Sequence, residues 1–233
     1  MLQPLLQRFG LASFRTSQQE VCEAVIRGED VLLVMPTGAG KSLCYQLPGV
    51  ARQGTTLVVS PLVALMEDQS QKLMTKGFRA AAIHSGKERE DSREVCRQYL
   101  RGELEFLFVA PERLAFPAFV QMLKKRPLAL IAVDEAHCIS QWGHDFRPDY
   151  RLIGERLHEF RPTPVIALTA TATAQVQDDI VRQLGFSNVS RFIRGFRRDN
   201  IAIEVLNLNP AKRATVIESA LRDPERRPAI VYA

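Results

Sequence analysis

The sequence predicts an α/β fold: a mainly parallel sheet with helices on both faces. Two observations carry that prediction. Apolar, β-rich runs alternate with longer helical patterns along most of the 233 residues, which is the signature of parallel strands joined by crossover helices. Several of those runs are almost uninterrupted by polar residues, as expected of strands covered on both faces. A third observation fixes polarity: the first run, VLLVM (Val31–Met35), feeds straight into a glycine-rich turn and then a helical pattern. Ligands in such sheets bind beyond the carboxyl ends of the strands.

Taken in order, a helix is predicted over Ser17–Arg27, a strand at Val31–Met35 and a helix over Lys41–Ala51 once the glycines end. Strands follow at Thr56–Ser60, Ala80–His84 and Phe106–Ala110, separated by helices at Leu62–Lys76 and Arg89–Arg101. Leu128–Asp134 is the most continuous apolar run and ends on acids; a helix at Tyr150–Phe160, a strand at Val165–Thr169, a helix at Ala174–Leu184 and a strand at Ser190–Arg194 complete the alternation. The stretch GFRRDN (Gly195–Asn200) breaks the rhythm with glycine and charge and reads as a linker. Beyond it a strand at Ile201–Leu206, a helix at Lys212–Arg222 and an apolar run at Ala229–Tyr232 are expected. The boundaries follow: 1–195 as one domain, 196–233 as linker and first elements of an incomplete second one. The alternative is a last strand that completes the first sheet.

Composition is that of an ordinary globular chain, 46% hydrophobic and 24% charged. No stretch approaches the ~20 apolar residues of a bilayer span, and no signal peptide is legible at the N-terminus, so no membrane partner and a cytoplasmic location are expected. Cys22, Cys44, Cys96 and Cys138 are scattered with no C-x-x-C pair; no zinc and no disulfide framework are expected in this chain. The net charge of +5 suits a polyanionic partner without proving one.

The turn after the first strand is VMPTGAGKS, Val34 to Ser42. Gly38 and Gly40 let backbone amides approach phosphate oxygens closely, at a helix N-terminus whose dipole favours anions. Thr37, Gly38, Ala39 and Gly40 are the candidate phosphate cradle, Lys41 reaches the β- and γ-phosphates, and Ser42 offers its oxygen to Mg²⁺. Met35 stands where the strict pattern asks for glycine; taken alone, GAGKS also reads as a helix-capping turn. The strand LALIAV ends in DEAHC, Asp134 to Cys138. Carboxylates at the end of a buried strand are costly without a cation, so Asp134 is the candidate Mg²⁺ acid and Glu135 the candidate base for an attacking water. Alone, the pair reads equally well as a helix cap with a first-turn acid. Together the two motifs predict nucleoside triphosphate hydrolysis.

These motifs resemble those of superfamily 2 helicases, and specifically the RecQ family. FRTSQQE (Phe14–Glu20) resembles motif 0; MPTGAGKSLCYQLP (Met35–Pro48) resembles motif I, where a Met-Pro-Thr start is the family's normal form; SPLVALMEDQ (Ser60–Gln69) resembles motif Ia. APERL (Ala110–Leu114) matches another family segment, and DEAHCISQWGHDFRPDY (Asp134–Tyr150) resembles motif II with the adjacent aromatic-rich loop. LTATAT (Leu168–Thr173), FRRDNI (Phe196–Ile201) and AIVYA (Ala229–Ala233) resemble motif III, the passage into a second motor domain and the opening strand of motif IV.

The resemblance implies a RecA-like P-loop NTPase domain followed by the start of a second RecA-like domain. It also implies ATP and Mg²⁺ as cofactors. Arg15 packs on the adenine and Gln18 presents its amide to the base edge; Leu11 stands where the family often has an aromatic, which implies looser stacking. Candidate DNA-binding and coupling residues are His137, Gln141, Trp142, His144, Asp145, Phe146 and Arg147, with Thr169 and Thr171 of the motif III segment; rings interleaved with a cation suit single-stranded DNA. Ser60 and Arg113 are further candidates for phosphate contact. The implied function is ATP-dependent 3′-to-5′ DNA strand separation in recombination and repair. Its partners are single-stranded DNA, duplex junctions and the C-terminal motor domain whose arginines this chain lacks; alone, the chain is expected to hydrolyse slowly and not to unwind. A DEAH-type RNA helicase fragment and a non-catalytic nucleotide- or DNA-binding product are the alternatives, and the oligomeric state is not legible.

Overall fold

The computed structural model describes residues 2–15, 17–194, 205–224 and 227–231. The chain divides into two compact units, Met1–Phe196 and Arg197–Ala233.

The first unit is a seven-stranded sheet in which every pairing is parallel. Its strands are β1 (Asp30–Val34), β2 (Thr55–Val59), β3 (Ala80–Ile83), β4 (Phe106–Val109), β5 (Leu128–Val133), β6 (Val165–Thr169) and β7 (Val189–Ile193), in the order β3-β4-β2-β5-β6-β1-β7. Successive residues of a strand point to opposite faces. In β1, Leu32 and Val34 join one apolar cluster while Val31 and Leu33 join the other. The helices sort accordingly. On one face lie α1 (Leu2–Arg8), α2 (Gln18–Ile26), α3 (Leu43–Ala51) and α4 (Val63–Thr75), contributing Leu6, Val21, Leu47 and Met66. On the other lie α5 (Arg89–Arg101), α6 (Pro117–Leu123), α7 (Asp149–Leu157) and α8 (Ala174–Gln183), contributing Tyr99, Phe119, Ile153 and Ile180. Strands β2, β4 and β5 are buried along their whole length, which is why they read as unbroken apolar runs.

Each of the seven expected strands is present with bounds within one residue of those read from the sequence. The helices α1 and α6 went unread; at 7 residues each they are too short to show a helical period. Close packing of α7 on α8 depends on Gly154, where a Cβ would stand 1.9 Å from the Gln183 carbonyl oxygen. No helix among the described residues is long and apolar enough to cross a membrane.

In the second unit a one-turn 3-10 segment, Pro210–Lys212, leads into α9 (Arg213–Leu221). Two expectations are corrected here. Val205 and Leu206, and Ala229 to Val231, form no strand, because an extended segment becomes a strand only by pairing its backbone with a neighbour. No described residue of this unit joins the seven-stranded sheet, so the alternative of a completing strand fails for the described residues. The linker Gly195–Asn200, residues Ile201–Glu204 and Tyr232–Ala233 lie outside the described residues, and so do the whole FRRDNI segment and the end of AIVYA.

Candidate nucleotide and nucleic-acid site

Strands β5, β6 and β1 are consecutive neighbours in the sheet and run parallel, so their carboxyl ends open onto one edge. The glycine turn leaves β1, the acidic segment leaves β5, and Thr169 ends β6 between them. Backbone bonds lock this edge: Met35 N donates to Thr169 O at 3.1 Å and Asp134 N donates to Val59 O at 2.9 Å.

In the glycine turn, Gly38 and Gly40 have φ of +82° and +88°, values that residues with a Cβ rarely adopt. Gly40 is constrained twice, since a Cβ there would lie 2.5 Å from the Gln18 side-chain nitrogen. Ser42 stands at the N-cap of α3 and makes no side-chain capping bond. Lys41 folds back, its Nζ donating to Met35 O at 3.0 Å. Burial holds the Lys41 ammonium below its ordinary range, opposed by the charges of Glu135 and Asp134; that opposition places the lysine within electrostatic reach of both acids.

Arg15 and Gln18 sit against the turn rather than open to a base. The Arg15 guanidinium donates to Gly38 O at 2.7 Å. Gln18 is 3% exposed; its nitrogen donates to Gly40 O at 3.1 Å and Ala39 O at 3.3 Å, and its oxygen accepts from Arg15 N at 2.8 Å. Both ends of the amide are thus engaged by the protein, a different arrangement from the expected offer to an adenine edge. The cause is burial, which compels an amide to find partners. Thr37 and Gly38 are exposed, and Ala39 is half-buried.

The acidic segment is tighter. Asp134 is 7% exposed, and burial together with the Glu135 charge pushes its carboxyl up to about 6. Its side chain accepts from Glu135 N at 3.0 Å. Glu135 has φ of +48°, left-handed for a residue that carries a side chain. A hydrogen bond from His137 holds the Glu135 carboxyl below its ordinary range, the two groups lying 3.3 Å apart. His137 is buried and its Nδ1 is 2.9 Å from Thr169 Oγ1. That hydroxyl donates onward to Thr171 O at 3.1 Å; having one proton to give, it accepts from His137 Nδ1, whose N–H is shared between Thr169 Oγ1 and the Glu135 carboxylate. Thr169 therefore joins the cluster through its side chain and Thr171 through its carbonyl.

The loop after this segment turns its tryptophan outward. Trp142 is 66% exposed, and Gln141 and His144 are also exposed. The His144 ring stacks on His137 with centroids 4.4 Å apart. Arg147 pairs with Asp145 at 3.0 Å and donates to Pro61 O at 3.2 Å, which ties the loop to the start of α4. Phe146 lies under the Arg151 guanidinium at 5.1 Å. His137, Cys138 and Asp145 bring potential metal-ligand atoms within 4.8 Å of one another. Within this trio the Cys138 sulfur lies 3.7 Å from both His137 Nε2 and the Asp145 carboxylate, and Asp145 is also paired with Arg147. Two connections had no signal in the sequence: the Arg147 bond to Pro61, and the Tyr150 hydroxyl that donates to Asp134 O at 2.8 Å.

The donor set suits a divalent cation. Two acids share the end of β5, one of them raised by burial, while the Lys41 ammonium is itself depressed and turned onto a carbonyl. A hard cation with oxygen ligands relieves that imbalance.

Comparison with known proteins shows what the chain is similar to. The family model described as DEAD/DEAH box helicase matches residues 15–180. The chain is 43% identical over 233 residues to the probable ATP-dependent DNA helicase RecS of Bacillus subtilis, covering 99% of this chain and 46% of that protein. It is 45% identical over 193 residues to the ATP-dependent DNA helicase RecQ of Haemophilus influenzae, covering 83% of this chain and 31% of the relative. The chain thus spans less than half the length of these curated relatives. Among solved structures, Mycobacterium smegmatis helicase Lhr bound to ssDNA and AMP-PNP superposes with a TM-score of 0.64 at 19% identity, over 82% of this chain and 27% of that one.

Proposed function

Because the chain belongs to the DEAD/DEAH box helicase family, we propose that it is the first motor domain of a RecQ-type, ATP-dependent 3′-to-5′ DNA helicase serving recombination, repair and replication. One observation carries the reading: Asp134, Glu135, His137 and Thr169 are bonded together at the ends of adjacent parallel strands whose neighbour β1 leads into the turn that bears Lys41, beside a loop that exposes Trp142. The names of the relatives support DNA rather than RNA as the track.

On this reading, the amides of Thr37 to Gly40 cradle the phosphates of ATP. Lys41 leaves Met35 O for the β- and γ-phosphates. Ser42 and Asp134 would hold a Mg²⁺ ion, which would neutralise charge on the phosphate oxygens. Glu135 orients the attacking water and accepts its proton; the His137 bond keeps the Glu135 carboxylate ionised and pointed. Arg15 stays beside the nucleotide, and Gln18 acts through the turn it braces. Trp142 and Phe146 stack on bases, His144 and Arg147 meet the strand, and Gln141 and Asp145 support that loop. His137 with Thr169 connects the loop to the acids.

Residues 196–233 are the linker and first elements of a second RecA-like domain. An arginine supplied by such a second domain would contribute ~10³–10⁵ in rate. Such a motor works where DNA is, in the bacterial cytoplasm at the nucleoid.

The test is phosphate release with oligo-dT, with oligo-U and without nucleic acid, for wild type and Glu135→Gln. We expect stimulation by DNA and a fall of ~10²–10⁴ in the variant with nucleotide binding retained. Release unchanged in the variant refutes catalysis at this site, and equal stimulation by oligo-U turns the assignment to an RNA track.

A further inference from the structure

Tyr150 is completely buried in the first turn of α7, yet its hydroxyl is used. It donates to the carbonyl oxygen of Asp134 at 2.8 Å. The amide on the other side of that peptide, Glu135 N, donates to the Asp134 side chain at 3.0 Å. The Asp134–Glu135 peptide is therefore held at both poles, and its orientation matters more than most. Glu135 has φ of +48°, a left-handed conformation that a residue with a side chain keeps only where its surroundings over-determine it. In that conformation the Glu135 carboxylate meets His137 at 3.3 Å. Freed of its carbonyl partner, the peptide can rotate towards ordinary helical values and carry the carboxylate away.

The same tyrosine ends the loop that exposes Trp142. Tyr150 N donates to Arg147 O at 3.0 Å, and Arg147 N donates to Cys138 O at 2.8 Å. Arg147 also reaches Pro61 O at 3.2 Å, so a shift of the loop at Arg147 is passed directly to the backbone of Tyr150. Packing alone does not account for the hydroxyl, since a phenylalanine ring fills the same apolar space among Cys138, Ile139 and Ile153.

We propose that Tyr150 is a positioning residue: it relays the state of the 140–149 loop to Glu135 by holding the Asp134–Glu135 peptide. The proposal rests on the helicase reading above, in which the loop meets DNA and Glu135 faces ATP. Coupling between two ligands is reciprocal, so binding alone tests it and turnover is not required.

The experiment uses the whole chain and Tyr150→Phe, with a fifteen-residue oligo-dT titrated with and without saturating AMP-PNP and magnesium. Trp142 is the single tryptophan of the sequence, and its fluorescence reports the loop directly. In wild type, nucleotide should change the oligo-dT affinity at least about fivefold, the lower end of common coupling factors. In Tyr150→Phe that factor should fall to within about twofold of unity, because the hydrogen bond that links the two sites is gone. Each ligand alone should still bind within about threefold of wild type, since the bond acts on coupling and not on either ligand's own contacts, and the melting temperature should fall by only a few degrees, the cost of one buried hydrogen bond. A variant with the wild-type factor overturns the proposal, as does a wild type without coupling. Hydrogen exchange on wild type is a second measurement that needs no variant: oligo-dT must alter exchange in the 131–139 segment, and an unaltered segment also overturns it. Failure of wild type to bind either ligand strikes the helicase reading first and this proposal with it; binding of both with coupling intact in Tyr150→Phe strikes this proposal alone.

Discussion

Replacing Asp134 with asparagine should stabilise the metal-free chain, and the gain should depend on pH. Asp134 closes a fully buried strand, and burial with the neighbouring Glu135 charge raises its carboxyl from 3.8 to about 6. The folded pKa exceeds the unfolded one. Below pH ~4 both states hold the proton and the group costs nothing; between ~4 and ~6 only the folded state holds it; above ~6 both are ionised and the whole penalty is present. At about 1.4 kcal/mol per pKa unit, that penalty reaches about 3 kcal/mol, of which asparagine recovers about 1–3. Asparagine keeps an oxygen to accept from Glu135 N, so the local turn survives. For a domain of this size the gain corresponds to a rise of roughly 3–10 °C in Tm. The assay is thermal unfolding followed by circular dichroism in EDTA at pH 4.5, 6 and 8. The variant should melt above wild type at pH 8, with the gap closing towards pH 4.5. A variant that melts below wild type at pH 8, or a gap that ignores pH, refutes the burial argument.

Two further substitutions test the scaffold and the loop. Gly154→Ala puts a Cβ 1.9 Å from the Gln183 carbonyl oxygen, a backbone atom that cannot step aside; about 1–3 kcal/mol should be lost in urea unfolding despite the better helix propensity of alanine, and an unchanged midpoint contradicts the packing. Trp142→Ala removes a ring that is 66% exposed, so stability should move by less than about 0.5 kcal/mol. Affinity for labelled oligo-dT, read by anisotropy, should fall roughly 5- to 100-fold if the ring stacks on a base; equal affinity removes Trp142 from the nucleic-acid surface.

Much of this fold is legible before any coordinates, for a physical reason. A parallel sheet covered on both faces needs strands that are apolar on both sides, so VLLVM, TLVVS and LALIAV announce themselves and stop where the carboxyl edge meets water. The placement of Lys41 and Asp134 at that edge follows from the same logic. Gln18, Tyr150 and Arg147 are harder to read because their partners are set by tertiary approach: Gln18 bonds a turn more than twenty residues away, and Arg147 a carbonyl 86 positions earlier. Nothing in the letters E-A-H tells of the left-handed backbone at Glu135. The described parts of two later apolar runs, Val205–Leu206 and Ala229–Val231, mislead for the opposite reason. Their composition suits strands, but composition does not supply a ladder partner.

The distribution of unfavourable groups has its own logic. Away from the carboxyl edge the sheet is apolar, with its two faces filled by clusters such as Leu57, Ile131 and Ile153 on one side and Leu33, Met66 and Phe106 on the other. At that edge, within a few residues, stand a carboxyl raised by burial, an ammonium depressed by burial, a left-handed glutamate and two left-handed glycines. A fold tolerates such a concentration when the rest of the core carries the stability and the site gains from preorganisation. On the proposed reading, one ligand resolves all of these features: phosphate oxygens draw Lys41 from Met35 O and meet the amides around Gly38 and Gly40, and the accompanying cation takes the charge of Asp134. Binding should therefore raise the melting temperature more for wild type than for Asp134→Asn at saturating nucleotide and magnesium, because the asparagine chain has already lost the strain that the cation relieves. Equal shifts would mean that the buried acid and the ligand do not meet.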